Sequence, residues 1–158
     1  MGLRLIRVDD RLIHGQVVTI WLKALGASRI IIVDDRTAKD DFLREVLELA
    51  APAGTPVEIH DQAGGTERVR DAAAAEEPVF VLVRSPITAL RLREAGIEFP
   101  VLNVGGLGAG PGRKPLYRNI SASPEELDAM RQLEAMGTRV ELRIVENDRP
   151  VAFASADK

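Results

Sequence analysis

The chain has 158 residues, 46% of them apolar, and a formal net charge of −3 from 24 acidic and 21 basic side chains. This suits one domain with a real core, spanning residues 1–158, and argues against disorder; without a basic excess there is no footprint for nucleic acid. Cysteine is absent, which excludes disulfides, thiolate chemistry and Cys-built zinc sites and makes a reducing cytoplasm the expected home. Met1–Arg4 does not open a signal peptide, and no apolar run nears the ~20 residues of a membrane span.

In chain order, Leu3-Arg4-Leu5-Ile6 alternates like a short strand, and Val17, Ile20, Trp21 and Leu25 then repeat at helical spacing, with Trp21 on the apolar face. Residues 7–17 are therefore expected to form a strand-to-helix loop with His14 at the helix start. Ile30-Ile31-Ile32-Val33 reads as a strand buried on both faces. A helix is predicted over Ala38–Ala50, with Phe42, Leu43, Val46, Leu47 and Ala50 on its core face, stopped by Pro52-Ala53-Gly54. Pro56–His60 is a third strand, Thr66–Ala75 an alanine-rich helix and Val79–Val83 another buried strand. Ser85-Pro86 caps a helix running to about Ala95 before Gly96. Pro100–Val104 is a fifth strand, leading into the glycine-rich stretch Gly105–Lys114, expected to be the most flexible loop. Leu116–Ile120 can form a sixth strand. Ser123-Pro124-Glu125-Glu126 is a capping box for a helix closed by Gly137, and Val140–Val145 is the last strand before a short tail. Repeated strand–helix units imply an α/β, three-layer sandwich: a mostly parallel central sheet of about seven strands with helices on both faces.

In such folds ligands bind outside the C-terminal ends of the strands, which is where His14 falls. A helix start presents unpaired N–H groups and partial positive charge, suited to phosphate. His14 is thus a candidate nucleophile toward phosphorus, with Arg11 as its charge partner. Asp9 and Asp10 are candidates for orienting the imidazole, and Gly15 and Gln16 for shaping the phosphate loop. Arg84, at the end of a strand on the same edge, and Lys114 are further possible phosphate contacts. The glycine-rich loop has neither the P-loop nor the dinucleotide-binding glycine order. Asp34-Asp35 invites a metal or acid/base reading, but Asp35 reads as a loop stabiliser, and the spacing of His60 and the aspartates supports no metal site.

The string Asp9-Asp10-Arg11-Leu12-Ile13-His14-Gly15-Gln16-Val17, with Trp21 beyond it, resembles the signature of the mannose/fructose/sorbose-type enzyme IIB component of the bacterial phosphoenolpyruvate-dependent sugar phosphotransferase system (PTS). Asp35 with Ala38 and Asp40, Ala51-Pro52 with Gly54, Asn103-Val104-Gly105-Gly106, and Gly112 with Lys114 match weaker motifs of that family. Glycines 108, 110 and 112 and Pro111 depart from the family's loop and the tail from Glu146 onward matches poorly; no fused enzyme IIA domain is expected. The resemblance implies a sheet with one antiparallel edge strand. It also implies that His14 is phosphorylated by a phosphohistidine enzyme IIA protein and passes the group to a sugar, with Arg11 as the transition-state arginine. The implied partners are that protein, membrane IIC and IID permease components and the sugar, with no cofactor, no metal and no nucleic acid; the implied place is the cytoplasm, peripheral to the permease. Two other readings share the string. One is a regulatory module that is phosphorylated without moving sugar. The other is a histidine phosphatase, which would want arginine where Ile13 stands and a second histidine, for which only His60 is available.

Overall fold

A computed structural model describes residues 1–157. Its main sheet has seven strands in the order β3-β2-β4-β1-β5-β8-β9. They are β1 (Leu3–Asp9), β2 (Arg29–Val33), β3 (Val57–His60), β4 (Val79–Val83), β5 (Val101–Gly106), β8 (Arg139–Leu142) and β9 (Val151–Ala152). All neighbours pair in parallel except β9, which runs antiparallel to β8 at the edge. The helices are α1 (Gly15–Leu25), α2 (Asp35–Ala38), α3 (Asp41–Ala50), α4 (Gln62–Ala74), α5 (Pro86–Glu94), α6 (Pro124–Ala135) and α7 (Phe153–Ala156), and β6 (Lys114–Tyr117) and β7 (Ile120–Ala122) form a separate antiparallel hairpin.

The β-branched run of β2 is buried on both sides, as a central parallel strand must be. Ile30 and Ile32 join Val18, Trp21 and Leu22 of α1 and Leu47 of α3 in one core. Ile31 and Val33 join Val69 and Ala72 of α4, Ala89 and Leu92 of α5, and Met130 and Leu133 of α6 in the other. The three expected layers follow from this alternation. The connection after β1 leaves toward the α1 face, while those after β4 and β5 leave toward the opposite one. A crevice therefore opens at the C-terminal end of β1, the central strand.

Several boundaries differ from the sequence reading. β1 runs on through Arg7, Val8 and Asp9, because Ile6 and Val8 bury on one face while Arg7 and Asp9 bury on the other with polar partners. The helix predicted over Ala38–Ala50 starts three residues later, as α3 at Asp41, where Asp40 caps it by accepting from Leu43 N–H; a separate short helix, α2, precedes it, capped by Asp34, which accepts from Thr37 N–H. Of the residues assigned to the core face of α3, Leu47 is buried, but Phe42 is 76% and Val46 43% exposed. α4 begins at Gln62, capped by Asp61, with Gly65 packed where a Cβ would strike the Val33 side chain. The single strand expected at Leu116–Ile120 is instead the β6–β7 hairpin, turning at Arg118 with φ +47°. β8 stops at Leu142, and the chain beyond it folds back as β9 and α7, seating Phe153 in the core, so it is not a loose tail. Gly105 and Gly106, placed in a loop, belong to β5.

Candidate functional site

Because β1 extends to Asp9, its alternation turns Arg7 and Asp9 toward α1. Asp9, 1% exposed, collects its neighbours. Its Oδ1 accepts from the Arg11 backbone N–H at 3.0 Å, and its Oδ2 lies 2.8 Å from His14 Nε2. Arg7 Nη2 donates to the same Oδ2 at a long 3.5 Å, and Arg11 Nε stands 3.7 Å from Oδ1. β5 makes room for this cluster. A Cβ on Gly105 would collide with the Arg7 guanidinium, and one on Gly106 would lie 2.5 Å from Asp9 Oδ1. The Asn103-Val104-Gly105-Gly106 run is thus a steric allowance for two buried charges.

The loop between β1 and α1 is anchored from beneath. Leu12 sits at φ +57°, a left-handed conformation costly for a branched side chain, and it is held there by burial and by its N–H donating to the Asp9 carbonyl at 2.9 Å. Leu12 and Ile13 are both buried in the α1–α3 core, so they anchor the loop and offer no apolar surface beside the imidazole. Gly15 follows at φ +52°, with open space where a Cβ would be; the backbone angle, not crowding, requires glycine here.

His14 is the N-cap residue of α1, yet its side chain makes no capping bond. The ring is turned to Asp9. An ionised carboxylate only accepts, so in the neutral ring Nε2 carries the hydrogen and donates, and Nδ1 keeps its lone pair. The first turn of α1 holds no acidic residue, so the positive end of the helix beside His14 is not neutralised locally. Gln16 is exposed in that turn, and Arg11 is 63% exposed, its guanidinium free to meet an anion at the crevice.

Asp9 and Asp10 have separate tasks. The Asp10 N–H donates to the Gly106 carbonyl at 2.8 Å, and its carboxylate accepts from Gly108 N–H at 2.9 Å and from Arg113 Nη1 at 3.3 Å. Asp10 therefore does not orient the imidazole; it ties down the loop after β5. Arg113 also donates to the Gly108 carbonyl and forms a bidentate pair with Glu126, both bonds at 3.0 Å. The glycine-rich loop is thus an organised clamp, contrary to its sequence appearance. Arg84 is half-buried one residue past β4, where Val83 pairs with Val8, so the register places it next to Asp9. Lys114 is exposed at the start of β6. No hydrogen bond or ion pair among the described residues joins either to His14. Sequence reasoning gave Arg7 no role of its own, and it named Asn103 only within a motif, Glu126 only as a helix cap, and Arg113 only as a possible phosphate or docking contact. The available signal was a charged residue inside an apolar alternation, Ile6-Arg7-Val8-Asp9, and an arginine within a glycine-rich stretch.

Burial lowers the Arg7 pKa to about 10, against the raising effect of Asp9, and leaves the group charged at neutral pH. Elsewhere, Asp34 caps α2, and Asp35 accepts from Gln62 N–H at 2.7 Å, so both serve loop structure. His60 Nε2 lies 2.9 Å from Glu58 on β3. Among the described residues no group of three or more His, Asp or Glu side chains is arranged to hold a metal ion, and no helix is long and apolar enough to cross a membrane.

The family described as PTS system sorbose subfamily IIB component matches residues 3–156. The sorbose-specific EIIB component of Klebsiella pneumoniae is 36% identical over 151 residues, covering 96% of this chain and 92% of that protein. The mannose-specific EIIAB component of Escherichia coli K12 is 35% identical over 148 residues, which are 94% of this chain and 46% of that longer one. The crystal structure of the IIBSor domain of the K. pneumoniae sorbose permease superposes with a TM-score of 0.93 at 35% identity, covering 99% of this chain and 96% of that one.

Proposed function

The chain belongs to the sorbose-subfamily IIB components of the PTS, and from that membership we propose that it carries a phosphoryl group on His14 Nδ1. Phosphoryl transfer in sugar uptake is the family's work. The observation that supports the residue and the atom is the 2.8 Å bond from His14 Nε2 to buried Asp9, which leaves Nδ1 as the nitrogen with a free lone pair.

The donor in this reading is a phosphohistidine on an enzyme IIA protein. Nδ1 attacks phosphorus, the new N–P bond forms, and the donor nitrogen departs with the electron pair of the old one. The Nε2 hydrogen stays on the ring, where Asp9 offsets the positive charge that phosphorylation brings. Arg11 and the N–H groups opening α1 hold the equatorial oxygens as charge spreads over them. In the second step a sugar hydroxyl, presented by membrane IIC and IID components, attacks phosphorus. The Nδ1–P bond breaks toward the ring, and the hydroxyl proton is released. The chain then works at the cytoplasmic face of that permease. Arg11 and the helix start supply the positive charge that a metal would otherwise bring, so transfer from purified phospho-donor is expected to run in excess chelator.

The phosphatase reading gains no support from the geometry. The other histidine, His60, is engaged by Glu58 on β3, and β2 and β4 lie between that strand and β1. No general base for water is thereby brought to His14.

The deciding experiment supplies phosphoenolpyruvate, the general PTS proteins and a IIA protein, then maps the label. The expected result is acid-labile, alkali-stable phosphate on His14 Nδ1, none in His14→Ala, and its discharge to sugar only with permease membranes. Normal labelling of His14→Ala, or multiple turnovers on small phosphate esters without partners, would overturn the assignment.

A further inference from the structure

Arg7 is a buried cation with no contact to the reacting atoms. Its side chain is 2% exposed and is gripped by three elements and the segment after β8. Nη1 donates to the Asn103 side-chain oxygen on β5 and to the Arg143 carbonyl at 3.0 Å. Nη2 donates to the Ile144 carbonyl at 2.7 Å and to Asp9 Oδ2 at 3.5 Å. From α1, the Trp21 ring covers the group with its centroid 5.2 Å from Cζ. An aliphatic side chain could fill this space without the desolvation cost of a charge, so the charge itself needs a reason.

Building on the carrier reading, we infer that Arg7 is a positioning residue: it holds the Asp9 carboxylate aimed at His14 Nε2, and so determines that Nδ1 is the nitrogen that accepts the phosphoryl group. Asp9 Oδ2 is the atom shared by Arg7 and His14. A carboxylate that is 1% exposed and has lost its buried cation holds a proton more readily, or passes that demand to its partner imidazole. Either outcome spoils the acceptor. An imidazolium has no lone pair to attack phosphorus. A protonated Asp9 would donate to Nε2, move the ring hydrogen to Nδ1 and reverse the tautomer.

The charged groups around this pair are few. Arg7 and Asp9 come from β1, Arg11 and His14 from the loop, Arg84 from the end of β4, beside Asp9 by register, and Arg143 from beyond β8, its Cζ also 5.2 Å from the Trp21 ring. Asp10 is engaged by Arg113. Arg11 cannot replace Arg7, because it is mostly in solvent and its Nε is 3.7 Å from Asp9 Oδ1. Gly105 belongs to the same device: its missing Cβ is the space the guanidinium occupies.

The test uses the whole chain with Arg7→Met, Arg7→Lys and Gly105→Ala, the last displacing the guanidinium without removing it. Nitrogen-edited NMR of His14 gives the tautomer and the apparent pKa of the Asp9–His14 pair, measured on unphosphorylated protein. The pH profile of phosphoryl acceptance and the identity of the phosphorylated nitrogen complete the set, with melting curves as the fold control. In Arg7→Met the pair's pKa should rise by a unit or more, the acidic limb of the profile should move up with it, and the Nδ1–H tautomer should appear. Arg7→Lys should restore part of the pKa, and Gly105→Ala should follow Arg7→Met. An unchanged tautomer and pKa in folded Arg7→Met overturns the proposal; if that variant does not fold, the same result in both others does. These ring measurements need no phosphate, so a failure of His14 to be phosphorylated in the wild type would sink the carrier reading without deciding the role of Arg7.

Discussion

Two adjacent aspartates with different duties show how a single strand residue decides the chemistry. Asp9 is the last residue of β1 and faces α1, whereas Asp10, one step on, reaches Gly108 and Arg113. The sequence displays both beside His14 and gives no means of ranking them, because the choice depends on where the strand ends. Part of the string was legible, with His14 at the helix start and Arg11 in the loop beside it, whereas Gly15, noted for its missing side chain, owes its place to φ +52°. Arg7 was not, since a buried cation is specified by carbonyls from residues 143 and 144 that are remote in sequence. At this scale two outcomes are expected. Arg11→Ala should slow phosphoryl acceptance by about tenfold to a thousandfold, the range for loss of one electrostatic donor. It should also leave the melting temperature nearly unchanged, because the side chain is 63% exposed. Stopped transfer assays and calorimetry on one preparation check both. Gly106→Ala, whose Cβ would stand 2.5 Å from Asp9 Oδ1, should instead cost stability and transfer together, and a fully active, fully stable Gly106→Ala would refute the steric reading of that glycine.

Elements are held to one another by charge clusters whose members lie far apart in the chain; the long strands and helices were readable, while α2, the β6–β7 hairpin, β9, α7 and several boundaries were not. The helix predicted from Ala38 on its apolar spacing begins at Asp41, because Asp40 caps it, and the short α2 before it, capped by Asp34, carries no apolar periodicity to reveal it. Apolar spacing likewise placed Phe42 and Val46 inward; the helix in fact turns Leu43 and Leu47 to the core that holds Ile30 and Ile32. Glu58 shows the cross-element charge case. On β3 it pairs with Arg68 of α4 at 2.7 Å and Arg29 of β2 at 3.1 Å, and with His60 at 2.9 Å. The Arg68 bond first, with help from His60 and Arg29, lowers its pKa to about 2. A depressed carboxylate contributes stability above its unfolded value near ~4.3 and loses it as pH falls through the folded value. Glu58→Gln should therefore destabilise at pH 7, and the difference from wild type should shrink steadily between about pH 4.5 and 2. Paired melting curves across that window measure it; a difference independent of pH would assign the effect to packing instead.

Across the whole molecule, the part farthest from recognition by pattern is the chain after β8, and it bears on the site at a distance. Alternation suggested a strand to Val145 and then a tail, because nothing local marks a return. The return is driven by burial: Phe153, 2% exposed, enters the core that contains α5, α6 and β8. β9 pairs antiparallel with β8 and closes the sheet edge, while Arg131 of α6 and Asp157 form a two-bond pair at 2.7 Å. Between β8 and β9 lie the carbonyls of Arg143 and Ile144 that receive Arg7, and the Arg143 N–H that donates to the Val104 carbonyl at 3.0 Å. The last turn of the chain thus clamps the segment that holds the buried cation under Asp9. Phe153→Ala should cost about 3–5 kcal/mol, as for other large side chains removed from a core. The loss should not stay at the far edge. Amide exchange at Arg143 should quicken in the folded variant, and the His14 ring should lose part of its preference for the Nε2–H tautomer as Arg7 loosens. Hydrogen exchange and ring NMR on Phe153→Ala read these two effects separately. Faster exchange with an unaltered ring would confine the tail to stability, whereas changes in both would show that the edge of the sheet and the imidazole are supported by one structure.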